Sequence, residues 1–143
     1  MSASHSFKIL FFICISVLAA IVLASPSDDF NAGMRSFTQG KYAQSLEYFK
    51  RAEKGGMKSA QLSYNLGSVY YRLNQFELSK RCFEKLIPHK NLRHLAYYNL
   101  ALIEHKLGHD RSAIELFEKS AHTTDDAELK ALADKQINTL RDL

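Results

Sequence analysis

The chain has 143 residues, of which 24% are charged and 46% hydrophobic, an ordinary composition for one globular domain. Its formal net charge of +4 is small, and its lysines and arginines are scattered among acids. This pattern favours a solvated surface and argues against a nucleic-acid-binding patch. Tryptophan is absent and only two prolines occur, which favours a mostly helical chain.

The first 24 residues differ in kind from the rest. Lys8 is followed by an uncharged, strongly apolar run that ends at Ala24, and residues 25–29 then form a polar exit. This pattern predicts a secretory signal peptide over residues 1–24. The run is shorter than the roughly 20 apolar residues that span a bilayer, but an uncleaved anchor over residues 7–24 is the alternative. In either case the rest of the chain is expected outside the cytosol, in the periplasm or the extracellular space.

The remaining residues repeat with a period of 34. Phe49, Phe83 and Phe117 stand one such step apart. The same step relates three further sets: Gly33, Gly67 and Ala101; Ser45, Ser79 and Ala113; and the turn residues Gly40, Asn74 and Gly108. A fixed period of this length over three copies is typical of a stacked-repeat architecture.

These residues resemble the tetratricopeptide repeat, a family of 34-residue helical hairpins. The resemblance implies an all-α fold, an α-solenoid of three helix-turn-helix repeats at about residues 26–59, 60–93 and 94–127. A capping helix at about 126–141 would complete a single domain over residues 25–143. In such hairpins the small residues lie where the two helices cross, and the phenylalanines fill the space between adjacent repeats. The third copy departs from the family pattern at Asp110, where an aromatic residue is usual.

Local signals predict where several helices begin and end. Ser27 or Asp28 can cap the first helix, and Ser59 can cap the first helix of the second repeat. Pro88 is expected to end that repeat's second helix because proline has no N–H to donate. Asp125, with Glu128 three residues later, resembles a capping box at the start of the terminal helix. That helix does not reproduce the repeat residues in register, which favours a cap.

Motifs for catalysis are absent from the sequence. It contains no glycine-rich phosphate loop, no His-Glu-x-x-His and no Gly-x-Ser-x-Gly, so we predict a protein that is not an enzyme and needs no cofactor. His105 and His109 have a spacing that can bind zinc on a helix, but the turn at Gly108 falls between them. We therefore interpret these histidines as exposed or groove-lining. Cys82, the one cysteine after residue 24, is predicted to be a small apolar filler.

The resemblance also implies a binding surface, since the first helices of tetratricopeptide repeats line a concave groove that holds an extended peptide or a partner helix. The implied groove residues are Phe30, Met34, Phe37 and Thr38 in the first copy, Gln61, Tyr64, Asn65, Ser68, Tyr71 and Arg72 in the second, and Leu95, Tyr98, Asn99, Leu102, His105 and Lys106 in the third. The core is expected to take four other residues of these helices: Leu66, Tyr70, Tyr97 and Leu100.

The composition of this groove indicates what it would hold. It is largely aromatic or aliphatic, with Arg72 and Lys106 at one edge, so it suits an apolar or aromatic partner segment with an acidic flank. Asn65 matches one position of the clamp that chaperone-binding relatives use for a terminal carboxylate. The other clamp positions hold Phe30, Met34, Leu95 and Asn99, so such a clamp is not expected. The alternative is that the tyrosines merely cover neighbouring helices.

Two functions follow from this reading. The first is an exported, non-enzymatic interaction module or scaffold that holds a protein or peptide partner. The second is a self-assembling or structural segment that precedes a membrane-embedded or surface complex. A homo-oligomer is considered because Phe30 and Phe37 lie near an N-terminal end of the repeats that has no dedicated cap. Neither involves nucleic acid, and either would touch a membrane only through an uncleaved N-terminal segment.

Overall fold

The computed structural model describes residues 25–142, which form three helical hairpins and one terminal helix. The helices are α1 (Pro26–Thr38), α2 (Tyr42–Lys54), α3 (Ala60–Arg72), α4 (Phe76–Glu84), α5 (Arg93–Lys106), α6 (Asp110–His122) and α7 (Ala127–Arg141). No strand occurs between residues 25 and 142, so the predicted all-α solenoid is confirmed. The predicted signal peptide, residues 1–24, lies outside the described residues and stays a prediction.

Each hairpin closes over one buried phenylalanine of its second helix. The exposed fractions of Phe49, Phe83 and Phe117 are 0%, 0% and 1%. A Cβ atom on Gly33 would lie 2.6 Å from Cε1 of Phe49, and one on Gly67 would lie 2.9 Å from Cζ of Phe83. Glycine therefore lets the aromatic ring reach the backbone of the first helix, as the repeat pattern predicts.

Buried serines join the two helices of the first and second hairpins at the same level. The Ser45 hydroxyl donates to the Gly33 carbonyl oxygen at 2.8 Å, and the Ser79 hydroxyl donates to the Gly67 carbonyl oxygen at 2.7 Å. Because both hydroxyls are buried, each needs such a partner. The paired glycine and serine positions thus hold helix against helix at the crossing.

The three hairpin turns share a backbone conformation. Gly40, Asn74 and Gly108 have φ angles of 72°, 58° and 79°. This left-handed region suits glycine and is tolerated by asparagine, which explains why these residue types recur with the repeat period. The predicted turns are therefore confirmed.

Two of the predicted helix caps are displaced. At α1 the Ser25 hydroxyl accepts from the Asp28 amide at 3.1 Å, and the Asp28 carboxylate accepts from the Ser25 amide at 3.0 Å. The prediction of Ser27 or Asp28 as the cap was wrong because this reciprocal pair lets the helix begin at Pro26. At α7 the cap is Asp126, whose carboxylate accepts from two following amides, and the predicted capping box on Asp125 was wrong.

Two other helix boundaries depend on residues 59 and 88. Ser59 caps α3 as predicted, since its hydroxyl accepts from the Leu62 amide at 3.1 Å. Helix α4, however, ends at Glu84, four residues before Pro88. The amides of Leu86 and Ile87 donate to carbonyls three residues back, and the Leu86 side chain is completely buried. Helix α4 therefore ends in a tighter turn with hydrogen bonds three residues apart, which the buried Leu86 side chain holds in place, and Pro88 lies beyond this end.

The core runs through the stack, so no hairpin has a complete interior of its own. One cluster joins α2 to α3 and α4 through Phe49, Leu62, Leu66, Val69, Tyr70 and Cys82. A second joins α4 to α5 through Phe83, Leu86, Ala96, Leu100 and Ile103, and a third joins α5 and α6 to α7. Of the predicted core residues, Leu66, Tyr70 and Leu100 are buried, whereas Tyr97 is half-buried.

The described helices are 9 to 15 residues long. No helix between residues 25 and 142 has both the length and the apolar character needed to cross a bilayer.

Candidate binding surface

The first helix of each hairpin carries an aromatic residue that packs on the buried phenylalanine of the second helix. Ring centroids are 5.5 Å apart for Phe30 and Phe49, 5.8 Å for Tyr64 and Phe83, and 5.2 Å for Tyr98 and Phe117. All three first-helix rings are half-buried. Burial raises the pKa of the Tyr98 hydroxyl above its ordinary value. These rings therefore stabilise the hairpins and still keep a solvent-facing part.

A cavity of about 160 Å³ opens on two of these rings. Its lining includes the predicted groove residues Tyr64, Leu95, Tyr98 and Asn99, from α3 and α5, and also His94, Ser120, Leu129 and Leu132. Tyr64 of α3, Tyr98 of α5 and Leu132 of α7 thus converge on one concavity, to which α6 adds Ser120. This is the arrangement that a shared inner surface of the first helices requires.

Helix α7 supplies the far wall of this cavity. Leu129 and Leu132 stand 34 residues after Leu95 and Tyr98, so α7 occupies the place of the first helix of a fourth repeat. Leu132 is 41% exposed, so part of its apolar surface stays open at the cavity. The sequence reasoning treated α7 as a cap outside the register and missed both leucines. The same 34-residue step would have found them.

At the turn end of the surface, the first two hairpins carry edge-on aromatic pairs. Phe37 packs on Tyr42 with centroids 5.4 Å apart, and Tyr71 packs on Phe76 at 5.8 Å. The Arg72 guanidinium lies over the Tyr42 ring, 5.7 Å from its centroid, and so joins the first two repeats. The predicted groove residues Phe37 and Tyr71 are therefore also half-buried packing residues.

The third hairpin replaces this aromatic pair with polar contacts. His105 Nδ1 lies 2.7 Å from Asp110 Oδ1, and His109 Nδ1 lies 2.8 Å from Glu104 Oε2. Glu104 is 7% exposed, and its Oε1 accepts from Lys80 Nζ at 2.6 Å. This hydrogen bond, opposed by burial and helped by His109, holds the pKa of the Glu104 carboxyl below its ordinary value.

These contacts also decide what the two histidines do. The Nδ1 atom of each histidine lies beside a different carboxylate. Within residues 25–142 no group of three or more potential ligands converges on a metal position. His105 stays at the edge of the surface, beside the exposed Lys106, while His109 belongs to the turn. The two histidines four residues apart thus make separate contacts with two different carboxylates.

The predicted polar groove residues are buried or bonded to the backbone of their own helix. Asn65 is 8% exposed, and its Nδ2 has no hydrogen-bond partner within the described residues. The side-chain amide Nδ2 of Asn99 donates to the Leu95 carbonyl oxygen at 2.7 Å. The Ser68 hydroxyl donates to the Tyr64 carbonyl oxygen at 3.0 Å. The surface is therefore mainly apolar and aromatic.

The remaining predicted residues divide between core and solvent. Met34 and Leu102 are half-buried and pack against the hydrophobic core, from α1 and α5. Arg72, Lys106 and Thr38 are exposed at the ends of their helices, and Gln61 is exposed at the start of α3. Cationic side chains thus lie at the turn end of the surface. The cavity with the two leucines of α7 is lined by neither of them.

A solenoid of helical hairpins with a shared inner surface defines the class of this protein. The sequence model of the tetratricopeptide repeat matches residues 60–87 and 94–121, so the chain contains two tetratricopeptide repeats there. The first hairpin, which that model does not match, has the same contact between Gly33 and Phe49 as the second has between Gly67 and Phe83.

Known proteins that are similar to this chain differ widely from it in sequence. The chain is 27% identical over 103 residues to the transcription activator GutR of Bacillus subtilis, covering 65% of this chain but only 12% of GutR. PcrH from Pseudomonas aeruginosa superimposes with a TM-score of 0.72 and 14% identity, over 81% of this chain and 91% of PcrH. The secretion chaperone SycD of Yersinia enterocolitica, solved with a peptide of the translocator YopD, gives 0.71 and 11%, over 80% and 91%. Such identities show a shared fold alone.

Proposed function

We propose that this protein is a non-enzymatic interaction module that holds a segment of a partner protein along α1, α3, α5 and α7. The observation that carries this proposal is the cavity shared by Tyr64, Tyr98 and Leu132. Tyrosine and leucine side chains that stay partly exposed around a concavity can bury a partner's apolar side chain and gain free energy by removing it from water.

The chemistry of the surface defines the partner's class. The cavity of about 160 Å³ has room for one apolar side chain as an anchor. Arg72 and Lys106, exposed at the turn end, favour acidic residues elsewhere in the same segment. SycD, which shares the fold, is solved with a peptide of a translocator, and this supports a peptide segment as the ligand.

A display library of random peptides, selected on the full chain, tests the proposal. The tyrosines are poor sites for mutation because each stabilises a hairpin, so the informative variant is Leu132→Glu. Leu78→Glu on α4 is its matched control, since both leucines are 41% exposed. We expect selected peptides to share an apolar residue with an acidic neighbour and to bind Leu132→Glu about tenfold more weakly or worse. Equal binding to both variants would exclude the cavity.

We further propose that residues 1–24 direct export of the chain, which places the repeats in the periplasm or outside the cell. The uncharged run after Lys8 and the polar residues that follow it support this. N-terminal sequencing of the exported protein tests the proposal. A first residue at or near Ser25 supports cleavage, whereas Met1 on a membrane-bound protein supports the anchor over residues 7–24. A protein found only in the cytosol contradicts both.

A second candidate function is self-assembly into a structural complex. Leu78, Leu107 and Leu132 are 41%, 39% and 41% exposed, which leaves three large apolar side chains for contacts between copies. Light scattering over a wide concentration range distinguishes the two functions. A mass that grows with concentration supports assembly, and a strict monomer rules it out.

A further inference from the structure

A second concavity lies between α4 and α6, over α5, and shares no lining residue with the inner cavity. Its volume is about 550 Å³. Ile87, Leu100 and Leu116 provide apolar side chains to it, and Tyr97 adds an aromatic ring. We call this concavity the α4–α6 cleft. It explains why Tyr97, expected in the core, is only half-buried.

The repeat period shows how the equivalent place is filled one repeat earlier. Stepping back 34 residues from Lys80, Glu104 and Leu116 gives Leu46, Tyr70 and Cys82. Tyr70 and Cys82 are each 8% exposed and belong to one core cluster, against which Leu46 packs. The first junction is thus closed by an apolar trio, and the second carries charges at two of the three positions.

The substituted charges form a partly buried ion pair. Lys80 Nζ lies 2.6 Å from Glu104 Oε1, and the Lys80 and Glu104 side chains are 37% and 10% exposed. Removing two charges from water costs free energy that their attraction does not reliably return, and apolar residues of similar volume often give equal or greater stability. The second junction therefore has an ion pair where the first has an aromatic filling, and it keeps a cleft with a charged wall.

The remaining charges make the cleft negative. Glu84 on α4 and Glu115 on α6 are exposed and form no ion pair within residues 25–142, while Lys119 is the one other base in the lining. The hydrogen bond to Glu104 raises the pKa of Lys80, and the charges of Glu77 and Glu84 add to this rise. A negative cleft on a protein of net charge +4 is a local exception that a basic partner would recognise.

We propose that the α4–α6 cleft binds a short, basic, amphipathic segment of a partner protein, separately from the inner surface. Apolar side chains of that segment would cover the half-buried Ile87, Tyr97 and Leu116, and its lysines or arginines would pair with Glu84 and Glu115. Both acids are exposed, so they bind through charge and steer the segment, while the apolar floor supplies burial.

Synthetic amphipathic peptides provide the test on the full chain. The probe is a helical leucine–lysine peptide, and a leucine–glutamate peptide of the same length and pattern is its counterpart. We expect saturable one-to-one binding of the lysine peptide only, with methyl NMR shifts at Ile87, Leu100 and Leu116. Comparable binding of the glutamate peptide, or shifts confined to Leu95, Leu129 and Leu132, would overturn the proposal.

Charge reversal separates local recognition from general attraction. Glu84→Lys/Glu115→Lys changes two exposed residues, so the fold is retained, and we expect roughly tenfold weaker binding of the lysine peptide. Glu47→Lys/Glu53→Lys on α2 makes the same change in net charge at exposed positions outside the cleft. Its binding should stay within about twofold of the original, since dispersed surface charges are screened. Equal losses in both variants would show long-range attraction alone and contradict a site in the cleft.

Discussion

The turn ends of the hairpins differ between the first two repeats and the third. The first two close with aromatic pairs, Phe37 on Tyr42 and Tyr71 on Phe76. The corresponding pair of the third is His105 and Asp110, joined at 2.7 Å. The helix crossing, by contrast, buries a phenylalanine of the second helix in all three hairpins, although the third has Ala101 and Ala113 in place of the glycine and serine. The comparison shows that this fold depends on the crossing and tolerates either apolar or polar contacts at the turn.

The largest expected effect lies in the part that the hairpins share. Phe83→Ala should lower the free energy of unfolding by about 3–5 kcal/mol, because the ring is completely buried against Gly67. Phe49→Ala and Phe117→Ala should fall in the same range. Chemical denaturation followed by circular dichroism measures all three. A loss below about 1 kcal/mol for any of them would show that its hairpin closes differently.

The ion pair beside the third turn should come next. Glu104→Ala removes the acceptor shared by Lys80 and His109 and should cost about 1–3 kcal/mol. Glu115→Ala on α6 is the control, since this exposed acid makes no ion pair within the described residues, and it should change stability by less than about 0.5 kcal/mol. Similar losses in both variants would mean that the pair contributes nothing specific.

The same carboxylate predicts a pH dependence. The pKa of Glu104 is lowered in the folded protein from its ordinary value of 4.5, mainly by its hydrogen bond to Lys80. Its stabilisation is therefore complete above pH 4.5 and is lost as the pH falls through the lower folded value. The stability difference between the original protein and Glu104→Gln should shrink over that acidic range. A difference that grows toward acid would contradict the assigned partners.

The helix crossing offers a smaller contrast between hairpins. In Gly33→Ala the new Cβ would lie 2.6 Å from Phe49 Cε1, so the ring must move, and we expect a loss of about 1–3 kcal/mol. The third hairpin already has Ala101 at this position, and Ala101→Gly should cost only about 1 kcal/mol through helix propensity. Unfolding in urea compares the two. A stabilising Gly33→Ala would show that the ring has room.

The smallest effect is expected at the polar turn itself. His105 and Asp110 have side chains that are 41% and 44% exposed, so their coupling in a double-mutant cycle with alanine should be below about 1 kcal/mol. The double substitution His105→Tyr/Asp110→Phe restores the aromatic pair of the second hairpin and should preserve the fold. A coupling above about 2 kcal/mol would make the polar turn a requirement of the third repeat.

Much of the fold follows from periodicity in the sequence. The step between Phe49, Phe83 and Phe117 predicts the number of hairpins, their turns and their crossings, because each position meets the same neighbours in every copy. Helix ends were harder to predict because several nearby residues can cap. Ser25 and Asp126 cap their helices through contacts that depend on where the chain enters the stack.

The candidate site was only partly predictable. The period places Tyr64 and Tyr98 on one surface, but it does not say how far each ring sinks onto Phe83 or Phe117. The burial of Asn65 depends on packing between repeats. Leu132 was missed because α7 has Lys135 where the repeats have a small residue, although its outward face keeps the period.

NMR of the seven tyrosines, labelled with ¹³C, tests the central claim most directly. The full chain would be titrated with a peptide selected on it. We predict shifts at Tyr64, Tyr71 and Tyr98, on the inner surface, and none at Tyr48, which lies on α2, or at Tyr97 in the α4–α6 cleft. Shifts at Tyr48 or Tyr97, with Tyr64 and Tyr98 unchanged, would contradict the binding of a partner along the inner surface.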